Sequence, residues 1–355
     1  MAPDDRAPTS RPRAVEESPA PDDTDRRFAW SRLTSWDVVI IGVLLLTAVV
    51  AAVTVDGFAS ARNFNFLILD VAAIAVIAMP MTLVIITGEI DLSVASALGL
   101  ISSVMGQLWF AGLPLEAIVV GCLLLGAVLG AVNGVFVTRL GLPSLAVTIG
   151  TLAMYRGLAY VVLGDRAIAD FPLSWTRAVA STIPGTPIPT MIVPLVVLAI
   201  VFGVLLHATP VGRSLYAIGA NEEAARFAGI AVARTKFWLF VVTGATSGLA
   251  GVYWTLRYAS ARADNAAGLE LSVVAAVLIG GVSIFGGRGT LPGVIAGVLL
   301  LGAITNALRL ADVSAEALNV VTGLLLIISV LTPNVIALSH RTFARRAAAV
   351  SSDSP

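Results

Sequence analysis

Apolar runs, each about as long as a bilayer crossing, follow one another through nearly the whole chain, with short polar turns between them. Lipid offers a backbone no hydrogen-bond partner, so a single chain with runs like these crosses as helices. A crossing takes about 20 residues. The runs lie at 38–55, 66–87, 95–110, 115–137, 145–163, 191–206, 237–254, 269–285, 292–308 and 318–338. Charged residues are only 12% of the sequence, about half the share in a soluble domain. The sequence therefore predicts an all-α integral membrane protein with about ten transmembrane helices.

Basic residues orient the runs. Arg26, Arg27 and Arg32 precede the first, Arg139 follows the fourth, and His340, Arg341, Arg345 and Arg346 follow the last. Both termini are predicted to be cytoplasmic. The 1–35 segment is rich in Pro, Asp, Glu, Arg and Ser and is expected to be a disordered cytoplasmic tail. It has no apolar stretch close behind a basic start, so it does not read as a secretory signal. A transmembrane domain at 36–340 and a cytoplasmic tail at 341–355 complete the division. The 165–189 loop reads as polar and extracytoplasmic, with Phe171 and Trp175 on the outer membrane surface.

The loop at 208–236 carries Arg213, Arg226, Arg234 and Lys236, the single lysine of the chain. It contains helix start and stop signals. Asn221 can cap an N-terminus, Glu222 and Glu223 suit the first turn, and Gly229 supplies a stop. Ala224, Ala225 and Ala228 leave one side nearly bare. On these residues alone, the segment is either a docking helix or an ordinary amphipathic loop helix.

Two places interrupt the apolar pattern. Glu89, Asp91 and Ser93 fall in Gly-Glu-Ile-Asp-Leu-Ser between two apolar runs, and Glu270 falls in the similar Gly268–Ser272 stretch. Discontinuous or short helices are expected near 88–96 and 268–290. Charge at membrane depth is costly and usually faces a cavity, and broken helices often build transport sites. A cytoplasmic turn with Glu89 and Asp91 in water is the other reading. Asn133, Asn306 and the helix face of Thr148, Thr151 and Tyr155, with Arg156 beside it, are further polar positions inside apolar runs. Glu89, Asp91, Ser93, Asn133, Thr148, Thr151, Arg156, Glu270 and Asn306 are thus candidates for a translocation path. Against this, membrane threonines often bond their own backbone and arginines snorkel to the interface. Glycines four apart, at Gly126, Gly130 and Gly134 and at Gly244 and Gly248, predict close helix approach.

Some chemistry is not expected. The chain has no Gly-x4-Gly-Lys-Ser/Thr loop to hold a nucleotide. His207, His340 and Cys122 are too scattered for a metal site, no catalytic set stands out, and no basic patch interleaved with aromatics suggests nucleic acid.

Glu223-Ala224-Ala225, with Gly229 four residues on, resembles the coupling loop of ABC importer permeases. Phe237-Trp238-Leu239 stands where that family often has an apolar-Leu-Pro element. Gly212-Arg213, Ala217–Asn221, Asn133-Gly134, Thr148–Thr151, Gly280–Ser283 and Gly286–Gly289 resemble the ribose-type monosaccharide permeases. So does Gly88–Ser96, with Glu89 and Ala95 in place of two glycines. The likeness covers 78–331, and Ser283–Thr290 leans towards the rhamnose branch. The resemblance implies a permease subunit in a bacterial cytoplasmic membrane, passing a ribose- or rhamnose-like sugar. It implies cytoplasmic ABC ATPase subunits, a second permease subunit (identical or related) and an extracytoplasmic sugar-binding protein. ATP and Mg would be held in the partner ATPase, with no cofactor in this chain. An ion- or proton-coupled secondary transporter, using Glu89, Asp91, Glu270 or Asp70, is the alternative.

Overall fold

The computed structural model describes residues 35–331. The tails expected at 1–35 and 341–355 lie outside the described residues, apart from Ser35. Among the described residues there are only helices, turns and two isolated bridges, Ile168 with Ala261 and Thr182 with Pro189.

The helices are α1 (Ser35–Thr54), α2 (Ala61–Ile86), α3 (Val94–Phe110), α4 (Leu115–Thr138), α5 (Ser144–Leu163), α6 (Leu173–Ala180) and α7 (Ile192–Ala208). They continue as α8 (Pro210–Ala220), α9 (Glu222–Phe227), α10 (Val232–Arg257), α11 (Leu269–Ile279) and α12 (Leu291–Leu310). A last apolar helix, α13, covers Ala315–Leu331. Six helices are long and apolar enough to cross a membrane: α1, α2, α4, α5, α10 and α12. The bent pair α7–α8 makes a seventh if counted as one span, and α3, α11 and α13 are shorter apolar helices.

Burial sorts these helices. From Val71 onward α2 is apolar nearly all round and sits in the core, with Val76, Ile77, Met81 and Ile85 fully enclosed. It runs unbroken through Pro80. α1 is the opposite case: Val38, Leu45, Leu46, Val49 and Val53 stay exposed, as suits a helix bathed in lipid. Its N-terminal end is pinned, since Trp36 Nε1 donates to the Ile279 carbonyl at 3.1 Å and Thr290 Oγ1 donates to Asp37 at 2.6 Å.

The glycines of α4 and α10 meet. A Cβ on Gly130 would overlap the Phe240 carbonyl oxygen, and one on Gly244 would come 2.7 Å from the Gly130 nitrogen. Side chains are absent here so that the two backbones can touch.

The short or discontinuous helix expected near 268–290 is α11, which stops at Ile279, before the expected end of the apolar run at 285, because Gly281 turns the chain at φ +91° and Ser283 N–H bonds the Arg288 carbonyl at 3.0 Å. The 165–189 segment departs from the sequence expectations. The 165–189 loop contains α6, started by Pro172. Phe171 lies not on the membrane surface but buried, stacked 6.2 Å from Trp109.

Candidate functional site

The loop at 208–236 holds two helices, α8 and α9. α7 and α8 are bent by 67° at Thr209. Pro210 explains the bend, since it pushes the residue before it into an extended conformation and suits a helix start. Thr209 adopts φ −109° and ψ 161°, and its hydroxyl accepts from the Gly212 amide. α8 ends at Asn221, whose extended backbone (φ −162°, ψ 107°) starts α9 at once. The Asn221 side chain accepts from the Ala224 amide at 2.9 Å. Gly229, at φ +83°, ends the unit as a left-handed stop, and Ile230 N–H returns to the Ala225 carbonyl. The sequence expectation of one helix from 221 to 229 thus becomes a six-residue helix preceded by a second helix it had missed.

Ala225 faces inward with Ile218 and Val232 in a small cluster, so only part of the alanine face is open. Ala224 and Ala228 are exposed. Between them Phe227 is 93% exposed, an apolar ring left open among the described residues.

α9 is anchored by charge. Lys236 Nζ lies 2.6 Å from Glu222 Oε2 and 2.5 Å from Glu89 Oε1, and Arg226 pairs with Glu222 at 2.8 Å. Two cations and two carboxylates leave the network neutral. The Lys236 and Glu89 side chains are only 8% and 14% exposed, so water screens this link far less than a surface pair. The hydrogen bond from Lys236 holds the Glu222 carboxyl below its ordinary value. Lys236 belongs to no motif, and being the only lysine is its one mark in the sequence.

Backbone contacts tie the same loop to two turns. A Cβ on Gly219 would overlap the Ile86 carbonyl at the end of α2. The Gly287 amide donates to that same carbonyl at 2.8 Å. Tyr216 OH, on α8, donates to the Gly289 carbonyl at 2.7 Å. Turns 87–93 and 283–290 and the loop therefore meet at one point.

Four of the path candidates form one buried cluster. Asp91 accepts from the Ser93 amide and hydroxyl at 2.9 and 2.6 Å, and Asn133 Nδ2 donates to the Ser93 hydroxyl at 2.8 Å. Thr148 donates to the Ile90 carbonyl at 3.2 Å, and the Ile90 amide donates to Ser144 at 3.1 Å. Asn133 Oδ1 is buried without a partner. Thr151 bonds its own helix at Val147. Arg156 donates to the carbonyls of Ala263 and Asn265 at 2.8 and 2.9 Å and, more loosely, to the Ala95 carbonyl at 3.4 Å, two residues on from Ser93. Asn306 pairs with Asn63 in a reciprocal amide pair. Glu89 belongs to the charge network. Glu270 lies on α11 beside a polar cleft of about 340 Å³, lined by Trp254, Arg262, Asn265, Ser272 and Asn319. No metal-binding group of His, Cys, Asp and Glu occurs among the described residues.

The family described as "Branched-chain amino acid transport system / permease component" matches residues 63–330. Similar curated proteins include the "Autoinducer 2 import system permease protein LsrD" of Photorhabdus luminescens, 33% identical over 316 residues, 86% of this chain and 91% of the relative. The LsrD of Yersinia enterocolitica is 31% identical, over 84% of this chain and 92% of its own. The "Ribose import permease protein RbsC" of Haemophilus influenzae is 33% identical over 301 residues, 83% of this chain and 91% of its own. No solved structure matches. The family match spans almost the whole described chain. The chain belongs to this family of transport-system permease components, in its ribose-type ABC importer group.

Proposed function

We propose that the chain carries a ribose- or rhamnose-like monosaccharide across the membrane, driven by ATP hydrolysis in a separate subunit. It is a transport component of a multi-pass membrane protein kind, not an enzyme. The observation that carries the reading is the capped α8–α9 loop, which presents Phe227 outward and is fixed by Lys236 to the helix behind it. A cytoplasmic ABC ATPase pair would seat on that loop, with ATP and Mg held there and no cofactor in this chain. A second permease subunit and an extracytoplasmic sugar-binding protein complete the assembly. The ten apolar helices α1–α5, α7 and α10–α13 correspond to the ten expected runs, six of them long enough to cross as they stand, and the placing of both ends in the cytoplasm rests on the basic residues that flank the runs. The choice of sugar rests on the ribose-type motifs, since the relatives' names span ribose and autoinducer 2. For the passage, the cluster of Asp91, Ser93, Asn133 and Thr148 is the inner candidate and the cleft beside Glu270 the outer one.

The test is uptake by the purified permease, reconstituted in vesicles with its ATPase and binding protein. Labelled sugar should enter only with ATP on the ATPase side and should continue after an ionophore collapses the ion gradients. Uptake that follows the gradient and ignores ATP would establish the secondary transporter instead.

A further inference from the structure

We infer that Glu89, Lys236 and Glu222 form a latch that makes the α2–α3 turn move with the α8–α9 loop, with Glu89 as a positioning residue for coupling. The inference rests on the ATP-driven reading above and adds to it how the motion leaves the loop. α9 has six residues, too few to hold a helix by themselves in water. What fixes its first residue is the Lys236 ammonium, which spends two of its three N–H donors on carboxylates from different segments, 2.5 Å to Glu89 and 2.6 Å to Glu222. Glu89 lies in the turn whose neighbours Asp91 and Ser93 start α3. A push on α9 is therefore a push on that turn.

A second set of contacts points the same way. Gly219 rests on the Ile86 carbonyl, Gly287 donates to it, and Tyr216 bonds Gly289. The ionic link and the backbone link together clamp the loop to turns 87–93 and 283–290 from two sides. Lys236 is the single lysine of the chain, and it reaches two carboxylates from different segments, Glu89 and Glu222. The latch is thus a feature of this chain's own residues.

Glu89→Gln keeps the size and leaves Lys236 paired with Glu222, so folding should survive. Lys236→Met strands Glu89, which removal of one partner of a buried pair makes costly, and membrane yield and assembly with the ATPase are checked first for each variant. In the reconstituted complex, sugar carried per ATP hydrolysed should fall roughly tenfold for Glu89→Gln, a size typical of coupling between sites. ATP hydrolysis itself should persist. Glu89→Gln added to Lys236→Met should cause no further loss, because the two act through one link. A Glu89→Gln complex that carries as much sugar per ATP as wild type would overturn the latch, as would losses that multiply in the double variant. If wild type itself takes up sugar without ATP, the ATP-driven reading fails, and that outcome is separate.

Discussion

At the scale of single residues, the most exposed apolar side chain in the loop is the most informative. Phe227 is 93% exposed, on a helix whose neighbouring Ala225 is buried. Aromatic anchors at the centre of an interface typically cost 2 kcal/mol or more when truncated. Phe227→Ala should therefore weaken binding of the ATPase by roughly thirtyfold, read by titrating labelled ATPase onto the purified permease, while the amount inserted in the membrane stays the same. Unchanged affinity would move the docking site elsewhere.

Glu222 gives a pH test with a definite sign. Its carboxyl is held below its ordinary value, chiefly by the hydrogen bond from Lys236. A depressed acid contributes stability above its unfolded value and loses it as pH falls through the folded one. The ordinary value for a glutamic acid is about 4.3. Protection of the Ala224 amide, followed by hydrogen exchange and corrected for intrinsic rates, should be flat from neutral pH down to that region and fall only below it. A loss of protection between pH 8 and pH 6 would contradict the assignment.

At the scale of elements, the α4–α10 pair is held by backbone contact at the glycines. Gly130→Ala places a methyl group against the Phe240 carbonyl oxygen. Overpacking of this kind costs about 1–3 kcal/mol, so the melting temperature of the purified permease should drop by several degrees. Gly42, with open space around it, is the control position and Gly42→Ala should leave melting unchanged.

What the sequence revealed at this scale was local or periodic. Asn221 and Gly229 were legible because caps act within four residues. The stacked glycines were legible because close helix packing imposes a fixed spacing. The interruption after α11 is legible in Gly280 and Gly281, but the apolar residues that continue past them hide that Ile279 is its last helical residue. α8 was missed because Pro210 reads equally well as a helix start or as a loop breaker. The candidate site was legible in its motifs but not in its connections. Glu89 and Lys236 are 147 residues apart, and no local rule pairs them. The carbonyls that hold Arg156 are likewise 61, 107 and 109 residues away, so a position read as polar lining spends three of its five donors on distant backbone.

At the scale of the whole molecule, the chain sorts its polar groups by where they serve. Exposed apolar faces on α1, α7 and α13 face outward from the bundle, and buried serines and threonines of α3 and α10 bond within it, as Thr255 does with Ser102 at 2.7 Å. Charge is gathered in a few pairs: Asp70, about three turns into α2, with Arg309 at 2.9 Å, Arg262 with Asp264, and the Glu89–Lys236–Glu222 network beside the α8–α9 loop. A helical bundle of this kind can be rigid within helices and movable at its turns, which is where the loop grips it.

ATP-driven coupling requires the α8–α9 loop to face the cytoplasm and to meet the ATPase there. The native thiol, Cys122, is buried, so a single new cysteine can be read against little background. In sealed vesicles of known orientation, Phe227→Cys should react with a membrane-impermeant maleimide only from the cytoplasmic side, and the bound ATPase should block that reaction. Labelling from the extracytoplasmic side, or labelling at the same rate with the ATPase in place, would contradict it.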